Sequence, residues 1–142
     1  MTSPIDRVLA RIAPFHDGSG TFSITPLLTL EEFFDGNDDP GSIWCNLPLG
    51  PDAEPHELAR TVLEGIRSRP DVADVRVAVA DVDQPEWPYA STVLIVTDAA
   101  PEEVGSWFSE DTAPDVVDQL DDRSDLEPGM LPDAPVVRCW WD

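Results

Sequence analysis

The chain has 142 residues, of which 42% are hydrophobic and 26% are charged, and this size predicts a single domain spanning residues 1–142. Its eight basic residues are all arginine, and 29 acidic residues bring the net charge to −21. With only eight glycines and two cysteines, the chain is neither a collagen-like fibre nor a disulfide scaffold. It also lacks the run of ~20 apolar residues that a membrane-spanning helix requires.

The charge predicts which partners the protein avoids. A negative field repels nucleic-acid phosphates and anionic membrane surfaces, so no binding to nucleic acid or membrane is expected, whereas a basic protein would be attracted. A second interpretation remains open, in which the acidity reflects a GC-rich or salt-adapted genome. The chain does not start like a secretory signal, and Cys45 and Cys139 form no motif. We therefore expect two reduced, buried thiols in a cytoplasmic protein.

Residues 1–41 are predicted to form a helical extension or flap. A helix over 3–13 has a proline at its first position and an apolar face. Residues 15–28 are expected to be irregular. A second, short helix begins at Thr29, which has capping-box spacing with Glu32.

Residues 42–142 are predicted to form an α+β core. Hydrophobic periodicity and turn residues indicate six principal elements, in chain order a strand at Ser42–Leu47, a helix at Pro55–Arg69, strands at Val72–Val82 and Ser91–Thr97, a helix from Pro101, and a strand at Pro135–Trp141. A further turn or two of helix is expected within Thr112–Leu120, followed by a loop at 121–134.

The order strand, helix, strand, strand, helix, strand is the β-α-β-β-α-β plan of a ferredoxin-like split βαβ sandwich. The helices would cover one face of the sheet. The first and last strands would be antiparallel neighbours, which would bring Cys45 towards Cys139.

The densest polar cluster lies at residues 35–39. Asp35, Asn37 and Asp39 match the first three ligand positions of a calcium loop, but Pro40 and Asn46 replace the glycine and the bidentate glutamate that such a loop needs. The cluster is therefore predicted to be a helix-ending turn. We expect no metal site and no cofactor.

No catalytic residue is assigned from the sequence. The two histidines, His16 and His56, are expected at the surface. The chain has neither a GxSxG nor an HExxH motif, so no nucleophilic or metal-dependent site can be drawn. With 29 acidic residues, pairs of carboxylates arise by chance and indicate nothing.

The tryptophans indicate a contact surface. Trp44 is expected on the sheet face away from the helices, and Trp87 in an exposed loop. Trp140 and Trp141 must face opposite ways, because adjacent strand residues alternate. Exposed aromatic side chains on a sheet imply a cover, which would be the N-terminal segment 1–41, a second subunit or a partner.

Several stretches resemble a group of small acidic bacterial proteins without assigned function. They are LEEFFDGNDD from Leu30, GSIWCNL from Gly41, Trp87-Pro88, APEEV from Ala100 and the terminal Trp140-Trp141-Asp142. The resemblance covers most of the chain from about residue 29 and transfers no catalytic residues. By analogy of size and charge, it implies an immunity or partner protein.

Our leading hypothesis is a non-enzymatic acidic module that neutralises or regulates a basic protein. Its predicted binding surface comprises Asp35, Asn37, Asp38, Asp39, Trp44 and Trp87. The alternative is an enzyme or small-ligand binder with a cleft between the N-terminal segment and the sheet, rimmed by the acidic cluster and the Trp87 loop. A homodimer with no other role is a third possibility.

Overall fold

The structure, a computed structural model, describes residues 3–16, 22–82 and 87–142. The flexible turn that the sequence predicts at 17–20, and the first four residues of the turn-rich stretch predicted at 83–88, lie outside these residues. The helices are α1 (Pro4–Ile12), α2 (Leu30–Phe34), α3 (Pro55–Arg67) and α4 (Pro101–Gly105), with a 3-10 turn at Ala13–Phe15. The strands are β1 (Leu27–Leu28), β2 (Val72–Asp81), β3 (Tyr89–Thr97), β4 (Val116–Gln119) and β5 (Val136–Trp140).

The strands form one five-stranded sheet in the order β1-β2-β3-β5-β4, and every neighbouring pair is antiparallel. The long hairpin of β2 and β3 forms its centre, and successive apolar residues in both strands are buried on the two faces of the sheet. β4 pairs with β5 and ends the sheet, with Val116 opposite Trp140. These observations confirm the α+β class.

The helix starts follow the capping signals of the sequence. Ser3 Oγ accepts a hydrogen bond from the Asp6 backbone at 3.2 Å at the start of α1. At α2, Thr29 Oγ1 accepts from the Glu32 backbone at 3.0 Å, and Glu32 Oε1 accepts from the Thr29 backbone at 2.9 Å. The single cap bond at α1 and the reciprocal capping box at α2 satisfy amide groups that the helices themselves leave unpaired. The helices in the described ranges all lack the length and apolar character needed to cross a bilayer.

The strand predicted at Ser42–Leu47 is wrong. The segment forms turns, and its one pairing is an isolated parallel bridge between Ile43 and Ala90. Trp44 has a φ of +59°, which reverses the chain and ends the alternation of a strand. Ile43 and Trp44 are adjacent and both buried, so the turn buries two large side chains where a half-exposed strand would bury one.

The helix predicted within Thr112–Leu120 is also wrong, because this segment contains β4. Its valines match a helical spacing, but the neighbouring β5 offers backbone partners that a helix could not use. The Asp115 amide donates to Trp140 O at 2.9 Å, and the Leu120 amide donates to Val136 O at 2.9 Å. Tertiary pairing therefore overrides local propensity here.

These two changes leave the ferredoxin-like arrangement unconfirmed. The first strand of that plan does not form, and β5 lies between β3 and β4. Cys45 is consequently exposed in a turn, so the prediction that both thiols are buried is wrong for this residue. Cys139 is buried on β5, and both thiols are free. Burial raises the pKa of the Cys139 thiol to about 12.

The two faces of the sheet are covered by different segments. One face carries the main core, where Val75, Val93 and Cys139 pack with residues of all four helices. On the other face, a smaller cluster around Leu94 and Val136 packs against residues of the 120–134 segment, namely Leu120, Leu126, Met130, Leu131 and Ala134. Residues 1–41 were one of three covers considered for this face, but their two helices lie on the other.

Arg11 connects α1 to α2, to β1 and to the 120–134 segment. Arg11 of α1 donates from Nε to Glu32 Oε2 at 2.8 Å, and from Nη2 to Glu127 Oε1 at 2.9 Å and to Leu27 O at 3.2 Å. Glu127 Oε1 also accepts from the Leu27 amide at 3.0 Å. Burial acts to raise the pKa of Glu32, but hydrogen bonds from Thr29 and Arg11 outweigh it, and the pKa is lowered.

Candidate functional site

The predicted acidic cluster divides into structural residues and cavity residues. Asp35 Oδ1 accepts from Arg60 Nη2 of α3 at 2.6 Å. The Asn37 side chain donates to Ser42 Oγ at 3.0 Å and accepts from the Asp39 amide at 2.9 Å. Asp35 and Asn37 therefore hold the turn after α2 in place, as the turn interpretation of this cluster predicted.

Asp38, Asp39 and Trp87 line a cavity of about 530 Å³ together with the start of α1 and the turn after α2. Gly36, also in its wall, has a φ of +78°, and a Cβ there would lie 2.3 Å from Pro4 Cβ. Only glycine permits this approach of α1 to the turn. The structure thus brings together the acidic cluster and the Trp87 loop beside the N-terminal segment.

The predicted exposure of Trp44 and Trp87 is wrong. Trp87 is only 6% exposed, and Trp44 only 3%. Trp44 stacks at a tilt on Trp141, with ring centroids 5.3 Å apart, and Trp141 meets Phe108 edge-on at 5.5 Å. The indole nitrogens of Trp44 and Trp87 are buried and have no hydrogen-bond partner among the described residues. Neither ring offers a surface to a protein partner.

The exposed large hydrophobic side chains of the described residues are Val116 and Trp140, at 40% and 37% exposure. They are opposite each other in the β4–β5 register and form what we call the Val116–Trp140 patch. The patch adjoins the outer edge of β4, which among the described strands pairs only with β5. Sequence reasoning found that one of Trp140 and Trp141 must point outwards, but it missed Val116 because it assigned that residue to a helix.

Carboxylates surround the patch. Asp115 precedes β4, and its Oδ2 accepts from the Asp142 amide at 2.7 Å. Asp118 lies two residues beyond Val116 and forms two hydrogen bonds with Arg138, at 3.0 and 2.6 Å. Burial raises the pKa of Tyr89 at the start of β3, Cys45 adds to the rise, and the charges of Asp81 and Asp142 contribute less. The patch is therefore apolar at its centre, with the carboxylates of Asp115 and Asp142 and the Asp118–Arg138 ion pair near its rim.

Internal pairs occupy most of the arginines. Those that form ion pairs with carboxylates are Arg11, Arg60, Arg67, Arg69, Arg76 and Arg138. Arg123 donates instead to the carbonyls of Pro132 and Ala134. Few positive charges are left to offset the surplus of exposed carboxylates, so the outward field is negative.

A second cluster lies at the start of α3. His56, expected at the surface, is only 4% exposed. Its Nε2 lies 3.8 Å from Glu54 Oε2, and one ligand atom each from Glu54, His56 and Glu57 fall within 4.8 Å of one another. The spacing of Glu54, His56 and Glu57 at a helix start is the sequence signal that could have indicated this cluster. It matches no known metal motif, so no metal site was expected.

Comparison with known proteins gives the family. The model of the family described as "Uncharacterized protein YfbO family" matches residues 3–140. The chain is similar to "Uncharacterized protein YfbO" of Escherichia coli (strain K12), with 38% identity over 144 residues that cover 99% of each protein. No solved structure matches. The resemblance to a bacterial group is confirmed and extends beyond the predicted start near residue 29, and the chain belongs to the YfbO family.

Proposed function

We propose that this protein is a non-enzymatic binding module that takes a basic protein partner on the Val116–Trp140 patch and so neutralises or regulates it. The observation that carries the proposal is the exposure of Val116 and Trp140 side by side at the sheet edge. Exposed apolar patches with polar rims are typical of interaction sites. Tryptophan in particular is enriched among the residues that dominate binding energy.

The open edge of β4 supports an extended partner segment. An edge strand presents unpaired backbone amide and carbonyl groups, to which another strand can add. The added strand would lie next to Val116 and within reach of Trp140. An arginine or lysine on it could stack over the indole of Trp140 and gain a cation–π interaction.

The charge favours a basic partner over a second copy of the chain. Two chains that each carry −21 repel one another, whereas a cationic partner is steered towards the surface. Asp115 and Asp142 lie at the rim and can pair with cationic side chains there. Asp118 is already paired with Arg138, so it contributes less to partner binding.

Site-directed photo-crosslinking tests this proposal. A photoreactive residue in place of Val116, in full-length protein inside its host, is expected to cross-link to a basic protein. For the isolated complex, Trp140→Ala should weaken binding at least about tenfold, the loss expected at an interface hot spot. Affinity should also fall as NaCl rises, because salt screens the rim charges.

A matched photoreactive residue in place of Glu102, in the first turn of α4, serves as the control and should not give the same adduct. Adducts only with a second copy of the chain would contradict the proposal and favour the homodimer, which light scattering would detect. Equal adducts from both positions, no adduct, or an affinity that ignores salt would also contradict it.

The second candidate function is binding of a small ligand in the Trp87 cavity. The specific observation in its favour is that Asp38, Asp39 and Trp87 converge on one space of about 530 Å³. That volume falls within the ~300–1,000 Å³ typical of ligand pockets. Two carboxylates beside an indole suit a small cation such as an organic amine.

A screen of organic amines by tryptophan fluorescence tests the second candidate. We expect some amine to change the emission on binding. Asp38→Asn removes one charge from the site, so this variant should bind that amine at least about tenfold more weakly. Asp52→Asn, another exposed aspartate that does not line the cavity, is the matched control. Equal losses in both variants would indicate charge attraction without a site.

A further inference from the structure

The start of α3 gathers three groups of the kinds that bind transition metals in proteins. Glu54 immediately precedes the helix, and His56 and Glu57 lie in its first turn. One ligand atom from each residue lies within 4.8 Å of the other two. None of these residues belongs to the Val116–Trp140 patch or lines the Trp87 cavity, so the cluster has no part in the functions proposed above.

The imidazole of His56 lacks a protein partner within the ranges that the structure describes. The residue is 4% exposed, and its Nδ1 is buried without a hydrogen bond. Its Nε2 is 3.8 Å from Glu54 Oε2, which is too far for a hydrogen bond. Buried polar groups are normally paired because an unsatisfied one costs free energy. An almost fully buried imidazole whose Nε2 faces a carboxylate without a hydrogen bond is therefore a feature to explain.

The spacing of these atoms suits a bridging ion. In tetrahedral zinc sites, nitrogen and oxygen ligands lie ~2.0–2.1 Å from the metal, which places two ligand atoms about 3.3 Å apart. The observed separation of 3.8 Å between His56 Nε2 and Glu54 Oε2 is close to this value. Since Glu54 and Glu57 are both exposed, rotation of their side chains can close the remaining gap without disturbing the core.

The charges and ligand types select the class of ion. Two carboxylates neutralise a divalent cation, and they outweigh the partial charge of about +0.5 at the helix N-terminus, which opposes it. An imidazole ligand favours zinc and similar transition metals over calcium and magnesium. We propose that Glu54, His56 and Glu57 bind one Zn²⁺, or a similar first-row transition-metal dication, with water completing the coordination.

Equilibrium binding of Zn²⁺ and Co²⁺ to the full chain tests the site. The parent protein carries Cys45→Ser, because an exposed thiol can bind zinc by itself, and excess Ca²⁺ occupies unspecific carboxylates. We expect one Zn²⁺ per chain, and a shift of the His56 ring resonances on binding. His56→Gln and Glu57→Gln should each weaken Zn²⁺ binding at least about tenfold.

Matched controls come from the rest of the chain. α4 also begins with a proline followed by two glutamates, but it has no histidine, so Glu102→Gln should leave the affinity unchanged. His16→Gln controls for the other histidine. Because Glu57 is exposed, Glu57→Gln keeps the test valid if His56→Gln does not fold. Unchanged affinity in Glu57→Gln, no stoichiometric binding by the Cys45→Ser parent, or His56 resonances that do not respond to Zn²⁺ would overturn the proposal.

Discussion

Trp141→Ala is expected to lower the free energy of unfolding by about 3–5 kcal/mol, the usual cost of truncating a buried tryptophan. Trp141 is 2% exposed and lies between Trp44 and Phe108. Its Nε1 donates to Thr112 O at 2.8 Å, so alanine leaves both a cavity and an unsatisfied buried carbonyl. Urea unfolding followed by circular dichroism measures the loss.

The neighbouring Trp140 is the matched control for this substitution. It is 37% exposed on the opposite face of the sheet, so Trp140→Ala should change the free energy of unfolding by less than about 1 kcal/mol. The two substitutions remove the same atoms from adjacent residues, which differ in burial and in the hydrogen bond that Trp141 donates to Thr112 O. Equal losses of stability would show that the structure assigns these two side chains to the wrong faces.

The second large effect is expected for Arg11→Met, which should destabilise the protein by about 2–4 kcal/mol. Breaking a buried ion pair typically costs 3–5 kcal/mol, because one charge stays buried without a partner. Here the Glu127 side chain is 9% exposed, but Arg11 and Glu32 are 22% and 35% exposed, so solvent screening reduces the cost. Urea unfolding again gives the value.

Arg7→Met is the control because it removes the same charge from the exposed side of α1, and it should cost less than about 1 kcal/mol. Adding Glu127→Gln to Arg11→Met should recover part of the loss, since it removes the stranded charge. Full additivity of the two substitutions would contradict coupling between Arg11 and Glu127.

The dependence of stability on acidic pH gives a second test of the network of Arg11, Glu32 and Glu127. The pKa of Glu32 is lower in the folded protein than its ordinary value of 4.5. The stability from this shift is therefore fully present above the ordinary pKa and is lost as pH falls through the lowered one. In Arg11→Met the shift should shrink, so stability should change less with pH below about 4.5 than in the parent protein.

Local chemistry made the helices predictable. The Thr29–Glu32 capping box and Pro55 act over three or four residues, so a linear pattern specifies α2 and the start of α3. The β2–β3 hairpin was predictable because its alternating valines have no competing helical pattern. Of the candidate site, the alternative hypothesis placed the Asp35–Asp39 cluster and the Trp87 loop at the rim of one cleft. The structure brings Asp38 and Asp39 to the cavity, but Asp35 does not line it, and Trp87 is buried.

The missed features depend on contacts between distant parts of the chain. Ser42–Leu47 alternates like a strand, but Trp44 finds a deeper site against Trp141 in a turn with positive φ. The local pattern around Val116 fits either a helix or a strand. The segment forms a strand because it pairs with β5. In both cases the burial or pairing gained across the fold exceeds the local preference.

By itself, the sequence determined the acidic net charge, the capped helices, the long hairpin and the α+β class, because composition and short-range hydrogen bonding depend only on neighbouring residues. Only the tertiary structure decided which tryptophan faces the core, where the apolar patch lies at the sheet edge, and that His56 is buried between two glutamates. Those outcomes follow from competition for burial among segments far apart in the chain, which a linear pattern does not record.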